Sequence, residues 1–311
     1  MNLGELLRAV AGRAPFDPAI GDRVPARDAA QAVSGVMYDS RSVTAGSLFV
    51  ALRGVHADGA AFARDAIGRG AIAIVSESAE HDGVPGINNV PWLTVADARL
   101  ALAALAAAFY KDPSEKLALV GITGTNGKTT TTYLLQSIFE AAGTRCGRIG
   151  TVGHRIGNRE VEAARTTPEA PELQRMLRDM VAQGSGACVM EVSSHALVLR
   201  RADYLHFAAG IFTNLTRDHL DFHRDMEDYF IAKRRLFELL PPGAPGISNL
   251  DDRRGAEFAA VAPRSVTYAI DAPADVRPGP LSFSLDGLSF EVRTPRGALQ
   301  IRSPLVGRPN A

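Results

Sequence analysis

A near-continuous apolar run, Leu117 to Thr123, leads straight into Gly124-Thr125-Asn126-Gly127-Lys128-Thr129-Thr130 and an amphipathic segment. A strand this apolar needs parallel neighbours covered on both faces, so a layered α/β fold is the expectation. The turn itself predicts chemistry. Glycines let backbone N–H groups approach phosphate oxygens, and the helix N-terminus adds positive partial charge. Lys128 can bridge terminal phosphates and Thr129 can ligate Mg²⁺. Across Gly121 to Thr130 the spacing is irregular: Gly121 stands one residue too early for Gly-x-x-x-x-Gly-Lys-Thr, and Ile122 holds the expected place. Gly-Lys-Thr-Thr opening a helix after a buried strand nevertheless favours a bound nucleotide, ATP, over an ordinary strand-to-helix turn.

The 311 residues suffice for about two domains, and 46% hydrophobic with 22% charged residues describes a soluble globular chain. Lys+Arg and Asp+Glu each number 34, so no net field favours nucleic acid or an anionic membrane. Cys146 and Cys188 lie far apart, as reduced thiols of a cytoplasmic protein would. No signal peptide is read at Met1 to Ala14, and no stretch approaches the roughly 18 unbroken apolar residues of a membrane span.

Residues 1–108 read as a small α/β domain, with strands at Gly35 to Asp39, Ser47 to Leu52, Ala71 to Ser76 and Trp92 to Val95 and helices near Ala60 to Arg69 and Asp97 to Phe109. The polar stretch Tyr110 to Lys116 separates it from a central domain, 109–311, with a mainly parallel sheet. There Ala187 to Val192 and Ala208 to Thr213 are further buried strands. The helix after Thr129 stops at Gly143, and another, striped by Leu173, Met176, Leu177, Met180 and Val181, stops at Gly184. Past Pro245 the pattern is strand-like, with a hairpin at Asp286-Gly287 between Leu281 to Leu285 and Leu288 to Val292.

Ligands of open parallel sheets bind beyond the carboxyl ends of the strands. Glu191 ends a long apolar strand, which is costly without a cation to serve; it is a candidate Mg²⁺ ligand, against the alternative of pointing to solvent. Asp218-His219-Leu220-Asp221-Phe222-His223 offers three readings: zinc, disfavoured for want of a nearby fourth ligand; one histidine serving a phosphate-bound Mg²⁺; or polar residues that cap the loop. Asp225 can cap a helix striped by Tyr229, Phe230, Leu236, Phe237 and Leu240. Lys233 falls on that stripe, so its ammonium must snorkel, find carboxylates or be chemically changed.

These segments, with Thr166-Thr167-Pro168-Glu169, Glu191 to Leu197 and Thr213 to Asp221, resemble in order the Mur ligases. Asp39-Ser40-Arg41, Gly46 to Ala51 and His56-Ala57-Asp58-Gly59 resemble their N-terminal UDP-binding domain. The resemblance implies an ATP-driven amide ligation in peptidoglycan precursor synthesis. A D-glutamyl carboxylate of UDP-N-acetylmuramoyl-L-alanyl-D-glutamate takes the γ-phosphoryl group, and the amine of a diamino acid, expected to be meso-diaminopimelate, displaces phosphate. It further implies that Gly124 to Thr130 and Asn214 hold the nucleotide and that Thr129 and Glu191 hold one Mg²⁺. His219 with carbamylated Lys233 would serve a second ion, and Lys128, Glu191, His219 and Lys233 form the catalytic set. Tyr38, Ser40, Val55, His56, Ala57, Thr166, Thr167, Ser193 and Arg201 match positions that hold the UDP substrate, while Leu199 replaces a glutamine some relatives use there. A monomer is expected. Folylpolyglutamate synthetases share the loop but not Asp39-Ser40-Arg41 or Thr166-Thr167-Pro168. After Leu305 to Arg308 the family continues into a helix and a third, amino-acid-binding domain; Pro309-Asn310-Ala311 ends this chain instead, so a fragment without that domain is expected, a binding remnant being the alternative to a ligase.

Overall fold

The computed structural model describes residues 1–54, 58–78, 90–285 and 287–307. The chain begins with α1 (Leu3–Val10), α2 (Ala26–Ala29), β1 (Gly35–Met37), β2 (Ser47–Ala51), α3 (Ala63–Gly68), β3 (Ala73–Ser76), β4 (Trp92–Thr94) and α4 (Ala98–Phe109). It continues through β5 (Ala118–Thr123), α5 (Lys128–Ala141), β6 (Cys146–Ile149), β7 (His154–Ile156), β8 (Arg159–Val161), α6 (Ala170–Ala182), β9 (Ala187–Glu191) and α7 (Ser194–Val198). Then come β10 (Ala209–Phe212), α8 (Met226–Glu238), β11 (Pro245–Asn249), α9 (Gly255–Val261) and β12 (Arg264–Tyr268). The final strands are β13 (Arg277–Pro278), β14 (Ser282–Ser284), β15 (Gly287–Thr294) and β16 (Gly297–Ser303). No helix among the described residues is long and apolar enough to cross a membrane.

Contacts divide the chain into two compact units. The first comprises Met1–Lys116, Thr167–Gly184 and Val198–Leu205. Its sheet runs β1-β2-β3-β4, every pair parallel. The side chain of Asp97 caps α4 by accepting from Leu100 N at 2.9 Å, and α4 then buries Ala101, Leu102 and Leu105 with Leu3, Leu7, Val50 and Val75. Both faces of α4 are covered, because the small Ala103 and Ala106 admit Ala170 of α6 on the far side. The expected boundary between 108 and 109 falls at the end of α4, whereas the contacts of this unit continue to Lys116 and take in α6. An apolar stripe announces a helix that must be covered, but not which neighbour covers it.

The second unit comprises Leu117–Thr166, Ser185–Leu197 and the chain from His206 onward. Its sheet has the order β12-β11-β10-β5-β9-β6-β7-β8. From β12 to β6 every pair is parallel, and β6-β7-β8 form an antiparallel edge. In a separate sheet β13, β14 and β16 pair antiparallel with β15. The expected hairpin is β14–β15; Asp286 of its turn lies outside the described residues. The stretch after Pro245 is not strand-like throughout, since α9 intervenes and buries Phe258 in a stacked contact, ring centroids 3.8 Å apart, with Phe212.

Gly121 explains the irregular glycine spacing. It lies inside β5 opposite Gly210, and a Cβ there would stand 2.8 Å from the Phe207 ring and 2.9 Å from Leu236. It is a packing glycine of the sheet, and the loop proper begins at Gly124. Gly121→Val should therefore lower unfolding free energy in urea by about 1–3 kcal/mol through overpacking.

Candidate functional site

The parallel pairing of β9, β5 and β10 carries Glu191, Thr123 and Thr213 to one edge of the sheet. Two glycines shape the loop that leaves β5. Gly124 (φ +147°) and Gly127 (φ +86°) hold conformations that L side chains rarely adopt, and a Cβ on Gly124 would meet Thr213 Oγ1 at 1.9 Å. Asn214 braces the turn: its Oδ1 accepts from Asn126 N at 3.0 Å, its Nδ2 donates to Asn126 O at 3.0 Å, and its carbonyl accepts from Thr125 N at 2.8 Å. Thr213 Oγ1 donates to Asn126 O at 2.7 Å. Lys128 Nζ donates to Gly124 O and Thr125 O, each at 2.8 Å. Burial lowers the pKa of this amine, and the charge of Glu191 opposes the shift. Thr130 is exposed on the first turn of α5.

Glu191 does not point to solvent. It is 1% exposed; Oε1 accepts from Thr129 Oγ1 at 2.9 Å and Thr151 N at 3.0 Å, and Oε2 accepts from Thr151 Oγ1 at 3.1 Å. A hydroxyl and a carboxylate side by side are hard oxygen donors that fit Mg²⁺, whose other positions water and phosphate can fill. Thr151 and Gly150 were not singled out from sequence. A Cβ at Gly150 would stand 2.4 Å from Glu191 Oε1, so that glycine makes room for the carboxylate. The signal was a Gly-Thr pair following the short strand β6.

Asp225 caps α8 as expected, accepting from Asp228 N at 2.8 Å. Lys233 is 1% exposed; its Nζ donates to Gly124 O at 2.8 Å and lies 4.5 Å from the Tyr229 ring centroid. It does not snorkel, and the partner it finds is a carbonyl of the glycine loop. Burial, reinforced by the charge of Lys128, holds its pKa well below the ordinary lysine value, against the pull of Asp218. His219 (φ +52°) borders the same tyrosine with its ring centroid 6.0 Å away, and lies 5.0 Å from the ring of His195. His223 turns inward instead, to Ser194 and Asp228. Among the described residues no three of His, Cys, Asp and Glu form a metal-holding group, so His219, Asp221 and His223 do not assemble the zinc site considered from sequence.

Residues 122–311 match the Mur ligase middle domain, and residues 32–110 match the Mur ligase family catalytic domain. The chain belongs to the Mur ligase family. It is 48% identical over 286 residues to the UDP-N-acetylmuramoyl-L-alanyl-D-glutamate--2,6-diaminopimelate ligase of Geobacter metallireducens, covering 89% of this chain and 55% of that protein. To the ligase of the same name from Solibacter usitatus it is 42% identical over 313 residues, covering 100% and 61%. A solved structure of a ligase so named superposes with a TM-score of 0.82 at 27% identity, covering 100% of this chain and 61% of the other. The chain thus spans somewhat over half the length of these relatives.

Of the Mur ligase positions matched to a UDP substrate, Val55, His56 and Ala57 lie outside the described residues. In the first unit, Arg201 Nη1 donates to Thr167 O at 3.1 Å and Nη2 pairs with Glu169 at 2.7 Å, while its buried Nε has no hydrogen-bond partner. Tyr38 donates to Glu172 Oε1 at 3.1 Å, and burial raises the Glu172 pKa. Ser40 is buried and Leu199 half-buried. In the second unit, Thr166 Oγ1 lies 3.0 Å from Thr151 Oγ1, one residue beyond the Glu191 cradle, and Ser193 Oγ accepts from Ala196 N at 3.2 Å to start α7.

The buried Lys233 burdens the fold. Lys233→Met, of similar length, should raise the stability of the ligand-free chain in carbon-dioxide-free buffer by about 1–3 kcal/mol, measured by thermal or urea unfolding. The gain should shrink as pH rises. Between the lowered folded-state pKa and the ordinary lysine value the unfolded chain binds more protons, so wild-type stability climbs with pH while the methionine variant lacks this term.

Proposed function

We propose that this chain carries the ATP-binding and UDP-substrate-binding parts of an ATP-dependent amide ligase that joins meso-diaminopimelate to the D-glutamate of UDP-N-acetylmuramoyl-L-alanyl-D-glutamate. The observation that carries the reading is the Thr129–Glu191 pair beside a glycine loop into which Lys128 and Lys233 both project, in a chain 48% identical to a ligase of that name. A carboxylate is a poor electrophile because oxide would have to leave. Transfer of the γ-phosphoryl group gives an acyl phosphate and ADP; the incoming amine then attacks the acyl carbon, loses a proton, and phosphate departs.

Loop N–H groups and Lys128 would hold the phosphates and offset their charge. Thr129 and Glu191 would hold Mg²⁺, which supplies further charge stabilisation. Buried beside the site, Lys233 is suited to carbamylation: a neutral amine is the form that adds carbon dioxide, and its environment favours that form. The amine nitrogen bonds to the carbon and releases a proton, leaving a carboxylate-like anion that, with His219, suits a second ion. Tyr38, Ser40, Val55, His56, Ala57, Thr166, Thr167, Ser193 and Arg201 are assigned to the UDP substrate.

Two measurements test this. Lys128→Ala should abolish binding of a fluorescent ATP analogue to the chain; unchanged affinity would overturn the nucleotide assignment. Where the protein releases phosphate in response to diaminopimelate, Lys233→Ala should lose that release and regain part of it with added short-chain carboxylic acids, whereas full activity without them would discard carbamylation. The second reading is nucleotide and UDP-substrate binding without ligation. Robust amino-acid-dependent phosphate release by residues 1–311 alone would sink it.

A further inference from the structure

The segment that carries His219 crosses from β10 to α8 almost entirely in solvent: residues 216–222 are exposed and His223 is the first buried side chain after them. It is tied down at both ends and by the Phe222 ring, which stacks on His195 with centroids 4.0 Å apart. At its start Thr216 N donates to Thr125 Oγ1 at 3.0 Å, which fastens it to the phosphate loop. At its end His223 Nε2 lies 2.9 Å from Ser194 Oγ and Nδ1 lies 3.3 Å from Asp228 Oδ2. An ionised carboxylate only accepts, so Nδ1 carries the proton and Nε2 accepts from the Ser194 hydroxyl. Serine, histidine and aspartate in this order resemble a hydrolytic triad. Ser194 is 1% exposed and the His223 side chain is fully buried, so no substrate reaches the hydroxyl.

What the arrangement does is mechanical. Ser194 follows Glu191 by one turn of chain at the end of β9, and Asp228 sits in the first turn of α8, the helix that carries Lys233. His223 therefore joins the three pieces of backbone that bear Glu191, His219 and Lys233. Its link to His219 is direct, since His223 N donates to His219 O at 3.0 Å. His219 itself holds φ +52°, a conformation costly for a side-chain-bearing residue that persists only where its surroundings enforce it.

We propose that His223 is the positioning residue of this site: clamped between Asp228 and Ser194, it locks the His219 segment to the end of β9 and so sets His219 beside Tyr229, on the helix that bears Lys233. The inference rests on the assignment of a magnesium nucleotide to the loop. Residues that orient ligands through a hydrogen bond typically change metal affinity by about 10–100-fold when removed.

The test titrates Mg²⁺ against the 311-residue chain at fixed non-hydrolysable ATP analogue, alongside analogue affinity without metal and thermal unfolding. His223→Ala should raise the Mg²⁺ midpoint about ten-fold and leave metal-free analogue affinity unchanged. His223→Gln, whose amide can still meet Ser194, should recover much of the loss. Ser194→Ala, a smaller change that carries the test if His223→Ala fails to fold, should shift the midpoint in the same direction. Variants that lower the unfolding temperature but leave the Mg²⁺ midpoint in place would overturn the proposal, as would a glutamine no better than alanine. If wild type shows no Mg²⁺-dependent analogue binding, the nucleotide assignment falls and this inference with it; wild type that binds with midpoints unmoved in every variant sinks the inference alone.

Discussion

The parallel pairing of β5 between β9 and β10 is the constraint on which the rest of the second unit depends. In register, it places the last residues of three strands side by side, so the loop after β5, Glu191 at the end of β9 and Thr213-Asn214 after β10 meet without any long-range search by flexible loops. The glycines follow from this closeness. Gly124 has Thr213 against it, Gly121 has Phe207 and Leu236, and Gly150 has Glu191, so each is small because something else occupies the space.

The same edge gathers charges that a simple core would exclude. Glu191 and Lys233 are both 1% exposed, yet their solutions differ. The carboxylate accepts hydrogen bonds from Thr129 and Thr151. The lysine receives one carbonyl and an aromatic face, together with the repulsion of Lys128. The carboxylate is bridged to the helix that follows the glycine loop, whereas the lysine reaches the loop itself in surroundings that disfavour its charge.

Much of this was legible in the sequence. The apolar runs at Leu117 to Thr123, Ala187 to Val192 and Ala208 to Thr213 became β5, β9 and β10 because parallel strands buried on both faces have few other residues to use. The Asp225 cap and the placement of Lys233 on an apolar stripe also followed from local spacing. Other features were not legible. The antiparallel edge β6-β7-β8 is made of strands only three or four residues long, too short for alternation to show. Helix α9 has Phe258 as its main buried anchor, and α6 resembles any one-faced helix until the alanines of α4 supply its partner.

Local spacing by itself determined the residue types and their order: a strand, a glycine turn, a lysine and a threonine opening a helix, an acid ending a second strand, and a cation on a helix face. Those are properties of short segments, where burial period and backbone conformation are set within a few residues. Tertiary structure decided the pairings: Glu191 with Thr151, Lys233 with Gly124, His223 with Ser194 and Asp228. Glu191, Lys233 and His223 are buried, and only the packed sheet determined which distant donor or acceptor stood close enough to receive each.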